Sequence, residues 1–72
     1  MPLVDINVVE GVFSQDAKKA LIQKVTDAVV SVEGEKMRGV TWVRILEVKS
    51  SQWAIGGQPL TSEAIRAMAA AR

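Results

Sequence analysis

The 72-residue sequence predicts an α/β fold, in which one strand–helix–strand unit is followed by a C-terminal hairpin and a short helix. Three observations support this prediction. Residues 3–9 read as a strand, apolar residues recur at helical spacing over residues 17–32, and residues 40–48 read as a second strand. A strand, a helix and a strand in this order form a right-handed βαβ unit whose two strands are parallel neighbours.

The long helix has recognisable ends. Ser14 is a favourable N-cap, and the carboxylate of Asp16 suits the positive end of the helix dipole. Gly34 can end the helix because glycine accepts a positive φ, and residues 35–39 are expected to form a polar loop. The apolar side of the helix is predicted to carry Leu21, Val25, Ala28, Val29 and Val32.

The second strand indicates self-association. Residues 40–48 have apolar side chains on both strand faces, which is typical of a strand that is covered on each side. One helix covers only one face of a two-stranded sheet. We therefore expect a second copy of the chain to bury the other face, so that the protein is an oligomer.

The C-terminal third is expected to form a hairpin and a helix. Residues 50–59 are rich in turn-forming residues, as in a small hairpin or clasp. Thr61 or Ser62 would cap a last helix that runs through Ala71 and turns Ile65 and Met68 towards its packing partner.

The composition excludes several classes of function. The 9 basic and 8 acidic side chains nearly balance, so we expect neither nucleic acid nor an anionic membrane as a partner. The absence of cysteine and histidine removes the commonest metal ligands, and we expect no metal and no cofactor. No apolar run approaches the roughly 20 residues of a membrane helix, and we recognise no signal peptide. We expect one cytoplasmic domain over residues 1–72.

Pro2 is the candidate catalytic residue. Removal of Met1 would leave a secondary amine, whose nitrogen has no amide resonance and can take or give a proton. The strand that follows would hold this nitrogen in place. A structural role stays open, because a proline can also open a strand where its missing N–H does no harm.

Pro2, the Glu10-Gly11 turn, the single long helix and the segment Trp53-Ala54-Ile55-Gly56-Gly57 occur in an order that resembles the 4-oxalocrotonate tautomerase family over residues 2–58. The resemblance implies βαβ subunits that pair into a four-stranded sheet and assemble into a homohexamer, a trimer of dimers. It also implies that Pro2 is the general base of a keto–enol tautomerase, an isomerase acting on a small 2-keto/enol acid. Trp53 matches the aromatic wall of the family's active site.

The sequence also departs from that family. Val12 and Trp42 stand where the founding enzyme has two substrate-binding arginines, which disfavours a dicarboxylate and favours a monocarboxylate or aryl substrate. Arg44 lies on the same strand face as Trp42 and is the predicted replacement cation. The residues expected to contact the substrate are Val12, Trp42, Arg44, Trp53 and Ile55.

Alternatives stay open. A hydratase or dehalogenase of the same superfamily would keep Pro2 protonated as an acid, and a non-catalytic oligomeric scaffold would need no base. Trp42 has a structural alternative as filler of a subunit interface. Arg44 has one as an ion pair, with Glu47 or with Asp5 of a neighbour.

Overall fold

The computed structural model describes residues 2–70. Met1, whose removal is predicted, and Ala71, the predicted end of the last helix, lie outside the described residues, as does Arg72. None of the described helices is both long and apolar enough to cross a membrane. The elements in chain order are β1 (Leu3–Val9), α1 (Gln15–Glu33), a 3₁₀ helix (Glu35–Val40), β2 (Trp42–Val48), β3 (Trp53–Ile55), β4 (Gln58–Leu60) and α2 (Ser62–Ala70).

The two long strands pair in parallel, which confirms the predicted βαβ unit. The register runs from Leu3 opposite Trp42 to Val9 opposite Val48. Hydrogen bonds extend the pairing at both ends, since the Trp42 N–H donates to the Pro2 carbonyl at 2.9 Å and the Glu10 N–H to the Val48 carbonyl at 2.8 Å. The pairing therefore positions Pro2 at one end of the sheet and the Glu10 turn at the other.

Helix α1 begins and ends as its caps predict. The Ser14 hydroxyl accepts a hydrogen bond from the Ala17 N–H at 3.1 Å. Gly34 has a φ of 104° and donates its N–H to the Val30 carbonyl at 2.8 Å. The buried apolar core of the described residues consists of Val8, Val9 and Val30, so β1 and α1 supply it together.

The face of the sheet that points away from α1 is open in a single chain. Leu3 is 54% exposed and Trp42 is 55% exposed on this face, with Leu46 at 37%. Between them lie the polar side chains Asp5 and Arg44. We refer to these five residues as the open sheet face. A core of few buried residues beside such a face leaves apolar surface that a second copy could cover.

The connection into β2 differs from the sequence-based expectation. Residues 35–39, expected as a polar loop, belong to the 3₁₀ helix, and β2 begins at Trp42 rather than at Val40. Backbone hydrogen bonds close these tight turns, from the Met37 N–H to the Gly34 carbonyl at 3.0 Å and from the Thr41 N–H to the Arg38 carbonyl at 3.3 Å. Arg38 also donates to Glu35 at 2.6 Å and to Asp27 of α1 at 2.8 Å, but these groups are exposed and such pairs add little stability.

The hairpin and the last helix form where the sequence predicts them. Strands β3 and β4 pair antiparallel around Gly56 and Gly57, whose φ values of 57° and 81° suit a two-residue turn. Thr61 caps α2, because its hydroxyl accepts a hydrogen bond from the Ala64 N–H at 3.1 Å. Ser62 instead joins α2 to the body, donating its N–H to the Ser50 hydroxyl and its own hydroxyl to the Glu10 carbonyl.

Gly11 is the glycine whose replacement we expect to be costly. Its φ is +78°, and a Cβ there would lie 3.3 Å from Nη1 of Arg66. Because an L side chain is strained at this φ, Gly11→Ala should lower the free energy of unfolding by roughly 1–2 kcal/mol. Chemical denaturation measures the change. The matched control is Gly39→Ala, where no positive φ occurs and no atom lies within 4 Å, and an equal loss in both variants would contradict this account.

Candidate functional site

Pro2 lines a cavity at the amino end of β1. The cavity has a volume of about 400 Å³, and its other lining residues come from the last turns of α1. Pro2 itself is half-buried. Its carbonyl is fixed by the Trp42 N–H, so the sheet determines where the residue lies. The residues that line this Pro2 cavity with it are Ala28, Val29, Val32 and Glu33.

Opposing electrostatic effects act in the Pro2 cavity. Its lining is mostly apolar, and apolar surroundings disfavour a charged group. The carboxyl end of α1, which carries partial negative charge, lies at the same place. Glu33, an acidic residue at this helix end, is also part of the lining. A cation in this cavity would therefore be destabilised by desolvation and stabilised by the helix end and by Glu33.

A second cavity lies at the opposite end of β1. It has a volume of about 370 Å³ and is bounded by the end of β1, the loop that follows it, the hairpin and α2. Trp53 is half-buried there, and Val12 lines the same space, so the structure brings these two predicted residues together. We call this space the Trp53 cavity. Its full lining is Asn7, Val8, Val9, Val12, Phe13, Trp53, Leu60, Ile65 and Met68.

The other predicted substrate contacts lie elsewhere within one chain. Pro2 and Trp53 line different cavities, and the seven residues of β1 hold the two ends of the strand roughly 20 Å apart. Ile55 is 64% exposed and lines neither cavity. Trp42 belongs to the open sheet face. Any site that unites these residues must therefore contain more than one copy of the chain.

Arg44 is engaged by a carboxylate of its own chain. Its Nε donates to Oδ1 of Asp5 at 2.8 Å and its Nη2 donates to Oδ2 at 2.9 Å. The register places the two residues directly opposite each other in the parallel sheet. Hydrogen bonding to Arg44 holds the pKa of Asp5 below its ordinary value. The ion pair, which was expected with a neighbouring copy, instead forms with Asp5 of the same chain. Two of the five guanidinium N–H donors are used in this pair, and Arg44 meets an incoming carboxylate with Asp5 already beside it.

Charged groups also organise the turn after β1. Lys18 of α1 donates to Glu47 of β2 at 2.6 Å, which links the helix to the sheet. The hydrogen bond from Lys18, and to a lesser degree one from the Gly11 backbone, lowers the pKa of Glu47. On the other side of this turn, Nη1 of Arg66 donates to the Gly11 carbonyl at 2.6 Å.

Sequence reasoning missed Glu33, which lines the Pro2 cavity, and Arg66, which contacts the turn after β1. Glu33 follows Val29 by four residues and therefore shares its side of α1, a spacing that could have placed it beside Pro2. Arg66 follows Ser62 by four residues on α2, and both bond to carbonyls of the Glu10-Gly11 turn. The helical spacing was visible in the sequence, but the turn that these side chains contact was not.

Comparisons with known proteins agree with the fold. A family model described as a tautomerase enzyme matches residues 2–63. A probable tautomerase, K2, from Dickeya dadantii (strain 3937) is 38% identical over 61 residues, which cover 85% of this chain and 90% of that protein.

Solved structures agree as well. The chain is similar to a 4-oxalocrotonate tautomerase isozyme from Methylibium petroleiphilum, with 31% identity, a TM-score of 0.71, and coverage of 89% of this chain and 97% of that chain. It is also similar to DmpI from Helicobacter pylori, with 31% identity, a TM-score of 0.71, and coverage of 82% and 95% respectively. These likenesses confirm the βαβ fold with its C-terminal hairpin.

The Asp5–Arg44 pair makes a prediction about titration. Because Arg44 lowers the pKa of Asp5, Arg44→Met should raise that pKa towards its ordinary value of 3.8. The stabilisation that the pair adds is present above the unfolded pKa and is lost as the pH falls through the lower folded value. NMR of the side-chain carboxyl carbons follows the titration. Arg38→Met, which breaks a different ion pair, is the control, and an unchanged Asp5 titration in Arg44→Met would refute the pairing.

Proposed function

This chain belongs to the tautomerase enzyme family, and we propose that the nitrogen of Pro2, freed by removal of Met1, carries the proton that its reaction moves. The proposal rests on the position of Pro2, which is half-buried in an apolar cavity and whose carbonyl is anchored by the Trp42 N–H. A group fixed in this way keeps one orientation towards a bound substrate, which favours proton transfer. Membership of an enzyme family favours catalysis over the scaffold alternative.

The proposed reaction is a proton transfer that needs no cofactor. The neutral nitrogen accepts the proton of the enol hydroxyl, which leaves an enolate. An oxygen electron pair then forms the carbonyl while the C=C electron pair takes a proton from the ammonium at the adjacent carbon, which completes the 2-keto acid and regenerates the amine. Each proton and electron pair is accounted for between nitrogen, oxygen and carbon.

The nitrogen must be partly neutral at the working pH. A free α-amine in a peptide has a pKa of about 7.7–8.0, and a secondary amine is intrinsically more basic. Apolar surface from Val29 disfavours a charged Pro2 nitrogen, whereas the negative end of α1 favours it. We propose that desolvation dominates once a substrate or a second copy covers the cavity.

The apolar surroundings favour a substrate with one carboxylate and an aryl or alkyl body. Val12 and Trp53 supply apolar surface in one cavity, and Trp42 lies beside the Pro2 end of the sheet. We propose that Ile55, which is exposed in the single chain, reaches the same substrate from a neighbouring copy. A planar enol fits against an indole because offset stacking of flat π-systems is favourable.

We propose that the working site assembles from copies of this chain. The open sheet face leaves Leu3 and Trp42 more than half exposed, which favours burial against another copy. If two copies pair strand edges with their helices on the same side, the strands at the junction run antiparallel. The Pro2 end of one copy then lies near the Trp53 end of the other. Three such pairs would form the proposed homohexamer; a cytoplasmic location stays a prediction from the sequence.

One observation favours the hydratase or dehalogenase alternative. Glu33 and the carboxyl end of α1 both stabilise a protonated Pro2, which is the state that an acid catalyst needs. The same carboxylate could activate a water molecule. The two functions differ in the protonation state of one nitrogen, and this difference is measurable.

Pro2→Ala tests the proposed base. In protein whose mass confirms removal of Met1, kcat/KM for tautomerisation of an aryl enolpyruvate should fall by about 10²–10⁴-fold, because the replacement amine lacks the ring that fixes its orientation and basicity. Ultraviolet absorbance of the enol follows the rate. The matched control is Pro59→Ala on β4, whose activity should stay close to that of the parent.

Equal rates in the parent and Pro2→Ala would overturn the proposed role of Pro2. The pH profile of kcat/KM then separates the two functions. A neutral base requires the rate to rise with pH through the pKa of the Pro2 nitrogen, whereas an acid requires it to fall. A falling profile for addition of water to an unsaturated acid would favour the hydratase.

Substitution on the open sheet face tests the assembly. Trp42→Glu places a charge on this face and should shift the protein to smaller species in analytical ultracentrifugation, because an unpaired charge is costly to bury. The matched variant is Ile22→Glu on α1, where the apolar residue is 37% exposed. Dissociation by Ile22→Glu with none by Trp42→Glu would move the interface from the sheet to the helix.

A further inference from the structure

Arg66 is set apart from the other arginines that the structure describes. Arg38 and Arg44 are ion-paired with carboxylates, whereas the recorded partner of Arg66 is the backbone carbonyl of Gly11, at 2.6 Å. A guanidinium has five N–H donors in a planar fork, and this bond uses one of them. Within residues 2–70, its positive charge is therefore not balanced by an ion pair.

The position of Arg66 is set by α2. Ser62, one helical turn earlier, bonds to the Glu10 carbonyl, so this side of the helix lies against the turn that ends β1. Ile65 and Met68, which flank Arg66 along the helix, line the Trp53 cavity. Val12, the residue after Gly11, lines it too. Arg66 is not itself part of the lining, but its bond to the Gly11 carbonyl places the guanidinium beside Val12, at the edge of a cavity whose interior is formed mainly by apolar side chains.

An apolar cavity with a cation at its rim fits one chemical class of ligand. Trp53 and its neighbours can cover an aryl or alkyl body, and a guanidinium binds a carboxylate with two parallel hydrogen bonds. The cavity volume of about 370 Å³ is within the range of small-molecule sites. A dicarboxylate would leave its second charge against apolar surface, which is unfavourable.

We propose that Arg66 binds the carboxylate of an organic monoacid whose apolar body occupies the Trp53 cavity. The assignment of this monoacid as the enzyme's substrate rests on the proposed function, but its binding does not. Helix α2 runs over Ser62–Ala70, mostly beyond the 2–63 range of the family match. Arg66 is therefore outside the part of the chain that family resemblance covers.

The test uses a ligand that the enzyme cannot turn over. We would titrate the protein with 3-phenylpropionate and with the uncharged 3-phenylpropionamide, and follow the indole N–H of Trp53 by NMR. The parent should prefer the carboxylate. In Arg66→Met, which keeps the aliphatic stem, affinity for the carboxylate should fall about 10-fold while affinity for the amide stays unchanged. Arg66→Lys should recover part of the preference.

Two controls keep the result interpretable. Lys24→Met removes one positive charge from α1, away from the lining of the cavity, and should leave both affinities unchanged. Chemical denaturation of Arg66→Met reports whether loss of the bond to Gly11 unfolds the protein. In that case Arg66→Gln, which is uncharged but keeps an N–H donor, serves as the test variant. Equal carboxylate affinity in the parent and in the folded Arg66 variant would overturn the proposal, as would an equal loss for the amide.

The outcome is separable from the proposed function. Pro2→Ala should abolish turnover but retain carboxylate binding that depends on Arg66, because the two residues occupy opposite ends of β1. A protein that binds the carboxylate through Arg66 and shows no tautomerase activity would support the binding site and refute the role of Pro2. Turnover that is unaffected in Arg66→Met would refute the assignment of the bound monoacid as the substrate, and the role of Pro2 would stand.

Discussion

The parallel pairing of β1 with β2 is the constraint on which the rest of the molecule depends. Its register sets Leu3 opposite Trp42 and Asp5 opposite Arg44, which fixes Pro2 at one end and creates the ion pair on the open face. Parallel strands need a crossover, and α1 provides it while covering one face of the sheet. The carboxyl end of α1 then arrives beside Pro2. Fold and candidate site therefore follow from a single arrangement.

The same arrangement sets the electrostatic conditions at Pro2. A crossover helix that returns to the start of a parallel strand brings its negative end there, and such an end stabilises a cation. The proposed reaction needs a neutral amine, and apolar cover such as that of Val29 would oppose this effect by desolvation. The balance between the two effects would decide whether the proposed nitrogen acts as a base or as an acid.

Local patterns account for what the sequence predicted well. The strand at residues 3–9, the Ser14 cap and the end at Gly34 depend on neighbouring residues only, and all three are confirmed. The 3₁₀ helix was missed because its turns are closed by backbone hydrogen bonds between residues three apart, which leave no apolar repeat in the sequence. Periodicity alone does not encode such a contact.

The residues of the candidate site stay a prediction from the sequence, and their arrangement in one chain was not foreseen. Family resemblance identified Pro2 and Trp53, yet it gave no indication that one chain holds them in separate cavities. Arg44 was placed on the correct strand face, but its partner depends on strand register. The contact of Arg66 with Gly11 spans 55 residues and joins an exposed side chain to a backbone carbonyl, for which the sequence offers no pattern.

The separation of the two cavities by the length of β1 determines how many sites a single substituted subunit inactivates. Suppose that each copy contributes Pro2 to one site and the Trp53 cavity to another. A substitution in one of these parts would then inactivate one site of a mixed assembly, and the other part of the same subunit would still function. Two subunits with substitutions in different parts could then form one intact site together. Loss of function in such a population would be graded, and neither allele would be fully dominant over the other.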